Sequence, residues 1–300
     1  MMCIISLSHG QTTSIQVKAY LQGAYVNGGS MSTLINSAGH LPLNQPYNTP
    51  PWNYQGSEQM DTIPADMVDW VLLELRDDYN NSLGYRAAIL LTNGSIVDTN
   101  LGPDISFPGI GAGSYYLLVD HRNHLPVMSA SAISTPSANA YDFSDTLNFP
   151  AIGGRLAQKE LESGVFGLIA GDVNKDGVVK YSGPGNDRNL IIQRIVTVTG
   201  STFITNTTTG YYPEDLNQDG VVKYSGPGND PQVIIQSLIG MTGSTSITAT
   251  YSTPPLVPPA PVVVFTCRDT LVDPRDGQQY PTVQIGTQCW MAKNLNIGTM

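Results

Sequence analysis

The chain has 300 residues, with 14 Lys and Arg against 24 Asp and Glu, for a formal net charge of −10. Only 13% of residues are charged, while Gly and Pro number 30 and 21, which excludes a coiled coil, a helix bundle and charge-rich disorder. Scattered cations exclude a duplex-binding surface, so no nucleic-acid partner is expected, and no run of about 18 apolar residues offers a membrane span.

The opening Met1-Met2-Cys3-Ile4-Ile5-Ser6-Leu7 is apolar and gives way to small and polar residues. It reads either as an ordinary first strand or, over residues 1–13, as the remnant of a secretory signal. Residues 14–150 read as a β-sandwich module. Ser14 to Leu21 alternates with period 2, as a half-buried strand does. A long irregular stretch holds Pro42, Pro46, Pro50 and Pro51 around Trp52 and Tyr54. Val68-Asp69-Trp70-Val71-Leu72-Leu73-Glu74-Leu75 fits a central strand covered on both faces. Asn93-Gly94, between Tyr85–Thr92 and Ser95–Asp98, predicts a hairpin in which both turn residues take positive φ. Tyr115–Val119 and Leu125–Met128 are further strands.

Residues 151–169 read as a connector. An internal repeat follows: Asp176 to Asp187 recurs letter for letter as Asp219 to Asp230, 43 positions on. The same offset carries Asp172 to Asp215, Asn174 to Asn217 and Ile191-Ile192-Gln193 to Ile234-Ile235-Gln236. This is a duplicated supersecondary unit over 170–247. A Pro-rich linker, 248–261, leads to a last β segment, 262–300, that is too short to enclose a core.

The repeat carries the most specific chemistry. Asp172-x-Asn174-x-Asp176-Gly177 and Asp215-x-Asn217-x-Asp219-Gly220 place oxygen side chains at positions 1, 3 and 5 of a loop. The glycine at position 6 permits the bend that turns the carbonyls of Val178 and Val221 inward. A hard cation such as Ca²⁺ takes six to eight such oxygens. Position 12 is Gly183 or Gly226, so the closing acid moves to Asp187 and Asp230. Two Ca²⁺ ions are therefore expected, with Lys180 and Lys223 unable to serve as side-chain ligands. The apolar residues beyond each acid, Ile191 with Ile195 and Ile234 with Leu238, fit a pair of packed helices.

The loop pair resembles a type I dockerin. The resemblance implies contact with a cohesin-like domain through Tyr181, Ser182, Arg188, Gln193 and Arg194, and through Tyr224, Ser225 and Gln236, although four extra residues fall in that region. Thr270 to Leu295, with Asp276-Gly277, Tyr280, Thr282-Val283, Ile285-Gly286 and Trp290-Met291-Ala292, resembles the opening of a FISUMP domain. That family implies a secreted or surface protein of bacteroidete or fibrobacter type, and a chain that continues beyond residue 300.

Cys267 and Cys289 either pair in an oxidising compartment or stay as two thiols. His121 and His124 are two candidate ligands, but a hydrogen-bonded pair holding a loop is the stronger reading. Trp52 and Tyr54 could stack on a sugar, yet packing the Pro-rich loop onto the sheet is favoured. No G-x-S-x-G, H-E-x-x-H or Walker motif occurs. The expectation is a mainly β, extracellular or cell-surface, non-enzymatic modular protein. It comprises a β-sandwich, a small α dockerin-like pair and an incomplete β segment, and it acts in attachment or scaffolding with a cohesin-like domain or a cell-surface glycan as partner. The rival readings make the front module the carbohydrate-binding region of a larger polysaccharide-degrading enzyme, or a glycan-active enzyme itself.

Overall fold

The computed structural model describes residues 11–254 except 79, 138 and 153, together with 267, 268, 270–272 and 278–293. The chain is mainly β and divides into two units, Met1–Pro258 and Pro259–Met300. The signal-remnant reading of 1–13 falls largely outside the described residues, but Thr12 and Thr13 belong to the strand Thr12–Ile15.

The first unit is built on an eight-stranded sheet. In order it runs His124–Met128, Gly113–His121, Met67–Arg76, Ser82–Leu91, Ser95–Val97, Val17–Lys18 and Tyr141–Asp142, with Ile133–Thr135 paired to Gly113–His121 off this path. Only the last pairing in that order, Val17–Lys18 with Tyr141–Asp142, is parallel. The strand Met67–Arg76 is central and buried on both faces, as its dense apolar run requires. Val71, Leu73 and Leu75 enter one core with Phe107, Leu117 and Phe143. Trp70 and Leu72 enter a second core beneath the Pro-rich stretch, where Tyr47 donates from its hydroxyl to the Trp70 carbonyl at 2.8 Å.

Three expectations change. Ser14–Leu21 is not one strand: Thr12–Ile15 pairs with Ile105–Pro108, and Val17–Lys18 pairs with Ser95–Val97. The Asn93-Gly94 hairpin forms, but only Gly94 takes positive φ, at 84°. Its loop spans Thr92–Gly94, and a three-residue loop needs one left-handed position where a two-residue loop needs two. The 151–169 segment is more than a connector, since Phe166 and Leu168 are buried in the first core and Leu168 bonds across to Tyr20 and Gln22.

The duplicated segment folds as two related halves. Each closing acid leads into a helix, Arg188–Thr199 and Asp230–Thr242. The second helix is capped by Asn229, whose Oδ1 accepts from Gln232 N at 3.0 Å; before the first, whose cap residue is Asp187, the equivalent Asn186 Oδ1 accepts from Asn189 N at 3.0 Å. Both end on a left-handed glycine, Gly200 and Gly243. Ile191, Ile195, Ile234 and Leu238 share one core. The strand after each helix pairs with the loop of the other half: Thr207–Thr209 with Val221–Lys223, and Thr250–Tyr251 with Val179–Lys180. Tyr251 is buried there, so the module runs past residue 248 into the segment read as linker.

In the second unit Thr270–Val272, Gln279–Ile285 and Gln288–Met291 form an antiparallel sheet, and Cys267 is bonded to Cys289. Tyr280 is buried, while Val283, Ile285 and Trp290 are exposed. The strand expected at Pro261–Phe265 lies outside the described residues.

Candidate metal loops and the buried hub beneath them

In the first loop Asn174 Oδ1 accepts from Asp176 N at 3.0 Å, and Asp176 Oδ1 accepts from Val178 N at 2.9 Å. The second loop repeats this, with Asn217 Oδ1 to Asp219 N at 3.1 Å and Asp219 Oδ1 to Val221 N at 2.8 Å. Gly177 and Gly220 have φ of 80° and 86°, the left-handed bend that position 6 demands. The closing acids are held by main-chain donors. Asp187 accepts from Val173 N at 2.8 Å and Lys180 N at 2.8 Å, and Asp230 from Leu216 N and Lys223 N at 2.7 Å each. Among the described residues no three His, Cys, Asp or Glu side chains converge as a ready metal cluster. Each loop instead mixes aspartates with an asparagine amide and the main-chain carbonyl of Val178 or Val221.

Whether these residues fit a hard cation turns on Asp172. It is 1% exposed, and neither carboxylate oxygen receives a hydrogen bond. Lys175 Nζ stands 3.7 Å away. Burial pushes its carboxyl above the ordinary range, with Lys175 opposing and Asp176 adding to the shift. Burial also raises Asp187 to about 7 and Asp215 to about 6, and holds Asp230 well above its usual value. Buried carboxylates crowded together in this way are costly unless a cation compensates them. A carboxylate oxygen that accepts one N–H keeps a second acceptor direction free, so the main-chain bonds do not bar a metal. The all-oxygen set fits Ca²⁺.

Beneath the loops lies a polar hub that the sequence reading missed. Asp69, fully buried on the central strand, accepts from Arg122 Nε at 3.0 Å, His121 Nε2 at 3.0 Å and the Tyr211 hydroxyl at 2.7 Å. Burial opposes its charge, but Arg122, His121 and Tyr211 outweigh that and bring its carboxyl down to about 2. Arg122 also donates to the Tyr212 carbonyl and stacks on the Tyr211 ring at 4.5 Å. Asn123 Nδ2 donates to the carbonyls of Pro213 and Asp215, at 3.0 and 2.8 Å.

Both loops send their position-4 residue into this turn. Lys175 and Gln218 each have positive φ, 58° and 55°. Lys175 donates to Asp120 Oδ1 at 2.8 Å and to the carbonyls of His121 and His124. The Gln218 amide lies 3.3 Å from His121 Nε2. At the same junction the Gly23 backbone presses on Leu216, and a Cβ there would sit 2.0 Å from the Leu216 carbonyl oxygen.

The other candidate residues are engaged within the chain. His121 and His124 form the hydrogen-bonded pair, and Trp52 packs edge-on to Tyr47 with Nε1 donating to Asp120 at 2.6 Å. Of the residues the dockerin resemblance assigns to a partner, Ser182 donates to the Ile247 carbonyl and Ser225 to that of Ile204. Arg188 stacks on Tyr181, and Arg194 pairs with Glu214 at 3.0 Å. Gln193 and Gln236 are exposed.

No family model matches the chain, and no curated protein matches it. A solved structure, the crystal structure of a type II cohesin–X-dockerin complex from Acetivibrio cellulolyticus carrying an N-terminal interface mutation, is similar at 13% identity and a TM-score of 0.32. The match covers 76% of this chain and 95% of that one. It is too slight to assign this chain a fold or a partner.

Proposed function

We propose that the chain is a secreted, non-catalytic module for attachment or scaffolding at a cell surface, and that a calcium-holding repeat pair braces its β module. Asp172, Asn174, Asp176, the Val178 carbonyl and Asp187 would hold one ion. Asp215, Asn217, Asp219, the Val221 carbonyl and Asp230 would hold the other. Bound Ca²⁺ supplies the positive charge that the buried carboxylates lack. The observation that carries the reading is the insertion of Lys175 and Gln218, equivalent residues of the two loops, into the single turn His121–His124. The Cys267–Cys289 bond supports an oxidising, extracellular setting. The buried histidines are spent on internal bonds, which favours a structural role over catalysis.

Scanning calorimetry tests the brace. With Ca²⁺, residues 11–254 should unfold in one transition, and a chelator should lower its midpoint. Gly23→Ala, which drives a methyl into Leu216, should lower that same single midpoint. Two independent transitions, with only one of them responding to chelator, would overturn the proposal.

A further inference from the structure

Two clefts of about 260 and 280 Å³ lie side by side, and Pro51, Trp52 and Lys175 contribute to the walls of both. Each is near the lower limit of small-ligand pockets, about 300 Å³, so each suits one ring-sized group. The first cleft has an apolar floor of Leu118 and Pro126, with Tyr85 at its side. The Trp52 indole between the clefts is fixed in advance by Asp120 and Tyr47, so holding it in place for a ligand costs little entropy.

Three charged groups in these walls are paired within the chain. Glu74 is held by Arg76 through bonds of 2.7 and 2.8 Å, Asp120 by Lys175 at 2.8 Å, and Arg122 by Asp69 at 3.0 Å. Yet Asp172, in the wall of the first cleft, has two acceptor oxygens without a donor, and Arg122, in the wall of the second, has Nη2 without an acceptor. Both residues are at least nine-tenths buried. An ammonium ligand would meet Glu74 and Asp120, which already have cations, and would compete with the metal for Asp172, while an anion would meet a guanidinium that already has its carboxylate. Hydroxyl groups, which both donate and accept without net charge, match the unused capacity on both sides. The apolar floor and aromatic walls match the C–H faces of a sugar ring.

We propose that the paired clefts flanking Trp52 bind a neutral saccharide, with one sugar ring in each. This goes beyond the brace; with calcium in the first loop Asp172 serves the metal, and the sugars are held by Trp52, the apolar floor and Arg122 Nη2.

The test is titration of the full chain with cellohexaose, xylohexaose, mannohexaose and maltohexaose, followed by calorimetry and tryptophan emission, with N-acetyl-lysine amide as the cationic probe. At least one hexasaccharide should bind at sub-millimolar concentration. Trp52→Ala should weaken it about tenfold or more, Trp52→Phe should restore part of the loss, and Leu147→Ala, at an exposed position, should change nothing. Tyr85, 44% exposed, can be truncated without opening the core, so Tyr85→Ala should weaken binding even if Trp52→Ala fails to fold. Binding of none of the four sugars, binding of the lysine probe alone, or binding indifferent to both aromatic truncations would overturn the proposal. Calcium stoichiometry on the same sample is read separately, so a chain that binds sugar without calcium refutes the brace and leaves the saccharide site standing.

Discussion

The Nδ1 atoms of His121 and His124 lie 2.9 Å apart in a site from which both rings exclude solvent completely. One arrangement of protons fits their neighbours, with the Gln218 amide turned so that its otherwise unpartnered Oε1 faces His121 Nε2. Gly23 N–H donates to His124 Nε2 at 3.2 Å, so His124 carries its proton on Nδ1 and offers it to His121 Nδ1 and to Asn123 Oδ1 at 2.8 Å. His121 then carries its proton on Nε2 and donates to Asp69. Two neutral imidazoles thus relay a hydrogen-bond chain from the Gly23 backbone to the central strand.

This arrangement predicts an acid-sensitive fold. Burial lowers the pKa of both histidines. Asp69 opposes the shift at His121, whereas the neighbouring cations add to it at His124. The unfolded chain therefore takes up protons first as pH falls below about 6.5, so stability is full above that pH and declines below it. Between pH 7.5 and 5.5 the loss should reach up to about 3 kcal/mol for the pair. Urea unfolding in saturating calcium, which keeps the loop aspartates from titrating, measures it. Flat stability across this window, or imidazole NMR signals of His121 and His124 that titrate near pH 6.5, would contradict the assignment.

The crossed strands of the repeat pair are secured by equivalent serines, Ser182 to the Ile247 carbonyl and Ser225 to the Ile204 carbonyl. Each bond should contribute about 1 kcal/mol. Ser182→Ala should speed amide exchange at Thr250–Tyr251, and Ser225→Ala at Thr207–Thr209, leaving the central sheet strand Met67–Arg76 unchanged. Exchange that accelerates equally everywhere would show that the serines do not act as local clasps.

Asp187 joins three segments of its loop through Val173, Asn174 and Lys180. Asp187→Ala should weaken that calcium site well over tenfold and also destabilise the metal-free protein. Gly183, with φ of 88°, sits in a left-handed turn. Gly183→Ala should cost about 1–2 kcal/mol of stability while sparing the metal. Equal, small effects of the two on calcium affinity would place the closing ligand elsewhere.

Much of the local structure was legible because its signals are local. The apolar run from Val68 to Leu75, the Asn93-Gly94 turn, the glycine bends of the loops and the helix after each acid all follow from periodicity or from one residue's conformational freedom. The hub was not, since Asp69, His121, Arg122, Lys175, Tyr211 and Gln218 meet only through tertiary packing. Two signals pointed to it. Asp69 is an acid inside a mostly apolar, buried strand, which demands buried partners. Between Asp172–Asp187 and Asp215–Asp230 the copies differ at just two places, Val173/Leu216 and Lys175/Gln218. The second pair is where the related loops meet different parts of an unrepeated surface. The crossed pairing of Thr207–Thr209 and Thr250–Tyr251 left no signal, because strands of two or three residues carry no readable period.

The central claim is that Asp172 is buried without a hydrogen-bond partner in order to hold a cation. Thermal melting of the full chain with Asp172→Asn, in calcium and in chelator, tests it most directly. An uncompensated buried carboxylate is a liability without metal and a ligand with it. The substitution should therefore leave the midpoint equal or higher in chelator and lower it in calcium, with calcium stoichiometry falling from two per chain to one. A midpoint lowered equally in both conditions, or a wild-type chain that binds no calcium, would contradict the account.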